Sequence, residues 1–135
     1  MRVALFGATG TVGTQVLTQA LEHGHEVQAL VRDPGRLPVT ATPVTVVTGD
    51  VHDQEAVDAV VAGSDAVLSA LGGTNRSAPH LLGGGTANVL DAMNRLAVSR
   101  IVVVQGFQLP FPGDPNNAGQ RLIRRILRLA NAALL

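Results

Sequence analysis

Three residue types on which much enzyme chemistry depends are missing from this chain. There is no cysteine, so disulfides and thiolate chemistry are excluded, and thiol usage says nothing about compartment. There is no tyrosine and no lysine; all 10 basic residues are arginine. A mechanism that needs a phenolic acid or an amine cannot run on these residues. Charge of one sign is not in excess either: 10 acidic residues balance the arginines to a formal net charge of +0. General attraction to nucleic acid or to an anionic membrane is therefore not expected. No stretch approaches the roughly 20 apolar residues of a membrane span. No charged leader with an apolar core precedes the first strand-like run. A soluble, cytoplasmic protein is the resulting expectation. The 4 histidines lack partners at metal-ligand spacing, so no metal site is expected.

What is present is a set of short apolar runs separated by helix-like segments. The 135 residues suit one domain with one sizeable core. The runs are Val3–Phe6, Glu26–Val31, Val44–Val47, Ala66–Leu68 and Ile101–Val104. Their apolarity is continuous rather than alternating, which predicts strands covered on both faces, as in a parallel sheet. Thr11 to His23 carries Val12, Val16, Leu17, Ala20 and Leu21 on one helical face, and Gly24 stops it. Asp53 is placed to cap a second helix containing Val57, Val60 and Val61, stopped by Gly63. A third helix is predicted from about Gly85 to Val98, with Val89, Leu90, Met93, Leu96 and Ala97 inward. The alternation predicts an α/β fold with a doubly wound parallel sheet of Rossmann type, in the order 3-2-1-4-5.

Beyond the fifth run, residues 105–117 hold three prolines and Gly113 and read as a loop. Asn117 is placed to cap a last helix over about 118–134. Its apolar rows are Leu122, Ile126, Leu129 and Ala133 beside Ile123, Leu127, Ala130 and Leu134, with Arg121, Arg124, Arg125 and Arg128 elsewhere on its surface. A core-facing helix with a solvated basic face is favoured over one lying on a membrane. The helix ends without a cap and no sixth strand follows, so a longer parent polypeptide, or a last portion not seen, is expected.

The stretch "GATGTVG" carries the strongest functional signal. Gly7, Gly10 and Gly13 follow the first strand directly and open an amphipathic helix. Gly7 suits a tight turn out of the strand, Gly10 a close approach of a pyrophosphate, and Gly13 close packing of the helix on the sheet. Thr9, Thr11 and Val12 offer backbone or hydroxyl donors at the helix N-terminus. A turn that merely needs small residues is the competing reading.

On these residues the chain resembles the atypical short-chain dehydrogenase/reductase branch, the NAD(P)-binding group that includes NmrA-like and biliverdin/flavin reductase-like proteins. "ALVRDPGRL" resembles that family's second-strand ending and "VTGDVHD" its third. "DAVLSALGG" resembles the fourth strand with its loop along the cofactor, "GTANVLDAM" the next helix and "SRIVVV" the fifth strand. The match covers roughly residues 1 to 105, and the family's later substrate-binding part is expected to be missing. The resemblance implies a nicotinamide dinucleotide held by the glycine turn. It implies an adenine edge formed by Asp50 and Val51. It also implies close passage of Ala70, Leu71 and Gly72 beside the nicotinamide-side ribose and phosphates.

Two neighbours compete to choose the nucleotide. Asp33 has about the spacing of an acid that holds the ribose hydroxyls of NAD. Arg32 would instead pair with the additional phosphate of NADP, with Arg36 as a second charge. The resemblance favours NADP, with NAD as the alternative, and Asp33-Pro34-Gly35 also reads as an ordinary turn.

Catalysis is harder to place. The usual tyrosine and lysine of short-chain dehydrogenases are missing, and no hydroxyl follows the fifth strand. Gln105 is a hydrogen-bond donor toward substrate, and His80 is the titratable candidate nearest the expected pocket, although a lone loop histidine is more often a surface residue. Three functions stay open. One is an NADPH-dependent reductase of a small conjugated acceptor, in which the cofactor carries the chemistry. The second is a cofactor-binding sensor without turnover. The third is a scaffold that binds another protein through the C-terminal helix.

Overall fold

A computed structural model of the chain describes residues 1–40, 42–72 and 81–104, and only the helical backbone of residues 81–83. Contacts divide the chain into Met1–Val104 and Gln105–Leu135, and the description concerns the first unit. The predicted loop 105–117 and helix 118–134, with Phe107, Phe111, Gln105 and the C-terminal arginines, lie outside the described residues. So does His80.

Five strands, β1 (Arg2–Phe6), β2 (Glu26–Val31), β3 (Thr45–Thr48), β4 (Ala66–Ser69) and β5 (Ile101–Val103), form one sheet in the order β3-β2-β1-β4-β5. Every pairing is parallel. Three α-helices connect them: α1 (Thr11–Glu22), α2 (Gln54–Val61) and α3 (Leu81–Arg95). The predicted fold class and strand order are those observed.

The two faces of the sheet follow from the strand period of two. Ala4 and Phe6 of β1, Leu30 of β2 and Val67 of β4 join one core with Val57, Val60 and Val61 of α2 and Val89, Ala92 and Met93 of α3. Leu5 of β1 and Val27, Ala29 and Val31 of β2 point the other way, onto Leu17, Ala20 and Leu21 of α1. Continuous apolarity is thus the mark of β1, β2 and β4, which have apolar partners on both faces. The edges depart from that expectation. Val46 of β3 and Val102 and Val103 of β5 are exposed, because an edge strand has one neighbour and less helix above it.

The helices differ from their predicted forms in instructive ways. Val12 is exposed rather than inward: it sits in the first turn of α1, at the rim of the sheet. Helix α3 begins at Leu81, four residues before the predicted Gly85, and runs through three glycines. Glycine disfavours helix by about 1 kcal/mol per residue, but here close packing wins. A Cβ on Gly85 would lie 2.6 Å from Cγ1 of Val51, and one on Gly84 3.2 Å from the His52 ring. At its other end α3 stops at Arg95, so Leu96 and Ala97 are outside it; Leu90 and Leu96 are exposed, and Ala92 takes the buried place.

The stops after α1 and α2 both use glycine. His23 caps α1, Gly24 takes a φ of 75°, and the His25 amide donates to the Ala20 carbonyl. Gly63 after α2 has a φ of 71°. Between α2 and α3, Asp58 accepts from Gln54 at 3.0 Å and from Arg95 at 2.6 Å. These bonds, Gln54 first and Arg95 second, hold the Asp58 carboxyl below its ordinary range.

Candidate dinucleotide site

The register places the candidate residues in a row along the carboxyl ends of the strands. Phe6 pairs with Leu30 on one side and with Ser69 on the other. Gly7 therefore emerges between the end of β2 and Ala70. Val31 pairs with Thr48, which puts Arg32 beside Gly49 and Asp50. At about 4.8 Å per strand, the row runs from Asp50 through Arg32 and Gly7 to Ala70. The sequence connections depart in opposite directions at β1, next to β4. That is the switch point at which open parallel sheets bind ligands.

The three glycines have separate physical reasons. Gly7 has a φ of 83°, and a Cβ there would lie 2.5 Å from the Ala70 carbonyl oxygen. A Cβ on Gly13 would lie 1.9 Å from the Gly7 carbonyl oxygen, so the start of α1 packs on the turn backbone to backbone. Gly10 is different. Its φ of −82° suits any residue, and a Cβ would meet only the Gly7 carbonyl oxygen, at 3.4 Å. Among the described residues nothing demands glycine at this place, and Gly10 is exposed.

The start of α1 is also electrostatically incomplete. Gly10 is its N-cap, no side chain caps the helix, and no acid lies in its first turn. The Thr11, Val12 and Gly13 amides have no acceptor within the helix. The helix dipole adds partial positive charge at the same point. Thr14 is occupied with the turn, its amide donating to the Gly10 carbonyl at 2.8 Å and its hydroxyl to that of Ala8 at 3.3 Å. Thr9 is half-buried, and Gly10, Thr11 and Val12 are exposed. The arrangement suits an anion with several acceptor oxygens, and the room at Gly10 suits a pyrophosphate.

The flanks complete the picture. Arg32 and Arg36 are exposed, while the ion pairs among the described residues are Arg2–Glu26 and Arg95–Asp58. Asp50 uses one carboxylate oxygen to accept from the His52 amide at 2.9 Å. The Val51 side chain is buried in the core, so only its backbone can border a ligand. Ala70 and Leu71 are half-buried, Leu71 leaning on the core, and Gly72 is open. One supporting residue escaped the sequence reading: Asn88 of α3 donates from Nδ2 to the Val51 carbonyl at 3.0 Å. Its own carbonyl accepts from Gln54 at 3.3 Å. Asn88 thereby ties the loop after β3 to α3. Its partner is 37 residues away in sequence, and the only local signal is the neighbouring "GGG", which permits the close approach. Among the described residues there is no metal-binding cluster of histidine and carboxylate, and no helix long and apolar enough to cross a membrane.

A parallel sheet with its switch point at β1, and a glycine turn feeding an uncapped helix, define an α/β domain of Rossmann type, the architecture that binds nucleotides. The family model described as NAD(P)H-binding matches residues 7–134, and the chain belongs to that family. It is 34% identical over 122 residues to a 3-beta-hydroxysteroid dehydrogenase of Mycolicibacterium neoaurum, covering 89% of this chain and 29% of that protein. It is 33% identical over 111 residues to an uncharacterized Mycobacterium tuberculosis protein, covering 82% of this chain and 12% of that one. The fold is shared with the oxidoreductase ylbE of Lactococcus lactis, with a TM-score of 0.74 at 22% identity, covering 92% of this chain and 57% of the other. The chain thus spans less than a third of the length of either curated relative.

Proposed function

We propose that this chain binds NADP(H) and forms the cofactor-binding part of a reductase that acts on a small conjugated acceptor. The observation that carries the reading is the start of α1: amides with no acceptor among the described residues, no acidic cap, and an exposed Gly10 at the switch point. The Thr11–Gly13 amides hold the pyrophosphate. Arg32 and Arg36 bind the 2′-phosphate, Arg32 stacking its planar guanidinium beside adenine. Asp50 and the Val51 backbone border the adenine, and Ala70, Leu71 and Gly72 admit the second ribose. When bound, the nicotinamide supplies a hydride. The chain contributes position, electrostatic hold and exclusion of water. An acceptor of flavin or quinone type takes its proton from solvent, so these 135 residues, which hold no tyrosine, need supply no acid for it. The redox reading is supported by the names of the relatives, a dehydrogenase and an oxidoreductase.

The test has two parts. Arg32→Ala is expected to weaken NADPH by about 10- to 100-fold, the worth of one charge-assisted contact, with little change for NADH. Equal losses for both nucleotides move the assignment to Asp33 and NAD. Loss of NADPH absorbance with flavin and quinone acceptors, measured on the longest natural chain, is expected to show turnover. Tight NADPH binding without turnover on any acceptor supports the sensor in place of the reductase.

A further inference from the structure

Asp33 stands where a ribose-binding acid would stand, yet its carboxylate is turned elsewhere. Asp33 is the N-cap of a 3-10 turn, Pro34–Arg36, and its side chain accepts from the Gly35 amide at 3.0 Å. The turn closes through the Arg36 amide to the Asp33 carbonyl and the Leu37 amide to the Pro34 carbonyl, each at 3.1 Å. Pro34 fixes its first φ. Arg32 lies immediately before this cap and Arg36 is the last residue of the turn. Asp33 pairs with neither: the ion pairs among the described residues lie elsewhere.

We infer that Asp33 is a positioning residue, which sets cofactor choice by folding the Pro34–Arg36 turn so that Arg32 and Arg36 address one phosphate, and not by binding ribose itself. The inference rests on the NADP reading above. To reach a ribose hydroxyl, the carboxylate would have to release the Gly35 amide and with it the cap. Held in the turn, it fixes the spacing of two cations that bracket it, and two arginines outweigh one carboxylate at the phosphate. The remaining negative charge still works against a phosphate dianion, so an isosteric neutral cap improves the site.

The experiment measures Kd for NADPH and NADH by calorimetry on the 135-residue chain, as wild type, Asp33→Asn and Asp33→Ala. Asparagine caps as well as aspartate and carries no charge; alanine has neither property. Asp33→Asn is expected to bind NADPH as tightly as wild type or up to about fivefold tighter. Asp33→Ala is expected to bind NADPH about fivefold weaker than Asp33→Asn, the worth of a cap. NADH should stay within about twofold throughout, and a thermal melt of each variant reports separately that it is folded. Equal NADPH affinity in the two variants overturns the inference. So does a loss of NADH binding in both variants, which would make Asp33 the ribose ligand. A wild-type chain that prefers NADH overturns the NADP reading itself, and is recognised before any variant is compared.

Discussion

Helices α1 and α2 both begin at the carboxyl edge of the same sheet, one after β1 and one after β3, and they begin in opposite ways. Asp53 caps α2 by accepting from the Glu55 and Ala56 amides at 3.0 and 3.4 Å, and Glu55 adds an acid to the first turn. That start has a capping carboxylate on two of its amides and a second acid beside it, which disfavours further negative charge there. Helix α1 has glycine at the cap, no capping side chain and no acid nearby. One helix thus has a capping carboxylate and its neighbour has none. The bare start lies at the switch point, and the capped one beside the edge strand. In the proposed reading the difference follows from use: the donors and dipole of α1 are left for an external anion, those of α2 are not.

The sharpest way to break this comparison is to make the two starts alike. Gly10→Asp installs at α1 what Asp53 provides at α2. The backbone accepts it: φ is −82°, and the new Cβ meets nothing closer than 3.4 Å. Stability should therefore hold or rise by a few tenths of a kcal/mol, as expected when aspartate replaces glycine at an N-cap. Nucleotide affinity should fall by about 100-fold or more, because the carboxylate occupies the donors and repels the pyrophosphate. Calorimetry with NADPH and a thermal melt on the same sample check both halves. Unchanged affinity would mean that the anion lies elsewhere.

How much of this is legible in the sequence depends on how local each cause is. Val3–Phe6 and Ala29–Val31 read as buried strand because successive residues are apolar, whichever face they present. The glycine turn is legible because its spacing is itself the signal. Asp53 reads as a cap because a cap acts within three residues. The features that the sequence hides have distant causes. Whether Val102 is covered depends on what packs above an edge strand. The glycines of "LLGGG" look like a break until Val51 and His52 are seen against Gly85 and Gly84. Asn88 is an ordinary polar helix residue until its bond to the Val51 carbonyl is known. At Asp33 the local signal is ambiguous in itself. One acid at one spacing serves a ribose or a turn, and only the bond to the Gly35 amide separates them.

A middle-sized effect sharpens the comparison from the α2 side. Asp53→Ala removes an acceptor that serves two amides, at a cost of about 1 kcal/mol in stability. Asp53→Asn should restore most of it. Both variants should bind NADPH like wild type, since the α2 start faces no phosphate in this reading. Denaturant melts give the stability. A loss of NADPH affinity in Asp53→Ala beyond about twofold would show that α2 also contributes to the site.

The smallest expected effect concerns a helix stop, where no ligand is involved at all. Leu96 and Ala97 follow the end of α3, and Ala97 has a φ of 56°, the only non-glycine positive φ among the described residues. The Val98 amide donates to the Met93 carbonyl at 3.0 Å, closing the turn, and both side chains are buried in the core. Glycines occupy the equivalent places after α1 and α2. Alanine in this region costs roughly 1–2 kcal/mol in steric strain. Glycine removes that strain but loses roughly 0.5–1 kcal/mol through its freer unfolded chain. The relief of strain outweighs that loss, so Ala97→Gly should stabilise the fold by about 0.5 kcal/mol. Because the change sits at the end of α3, remote in sequence from the glycine turn, NADPH affinity should not move. A small gain in denaturation midpoint with unchanged slope and unchanged Kd is the expected result. A destabilised variant would mean that the Ala97 methyl makes contacts worth more than the strain.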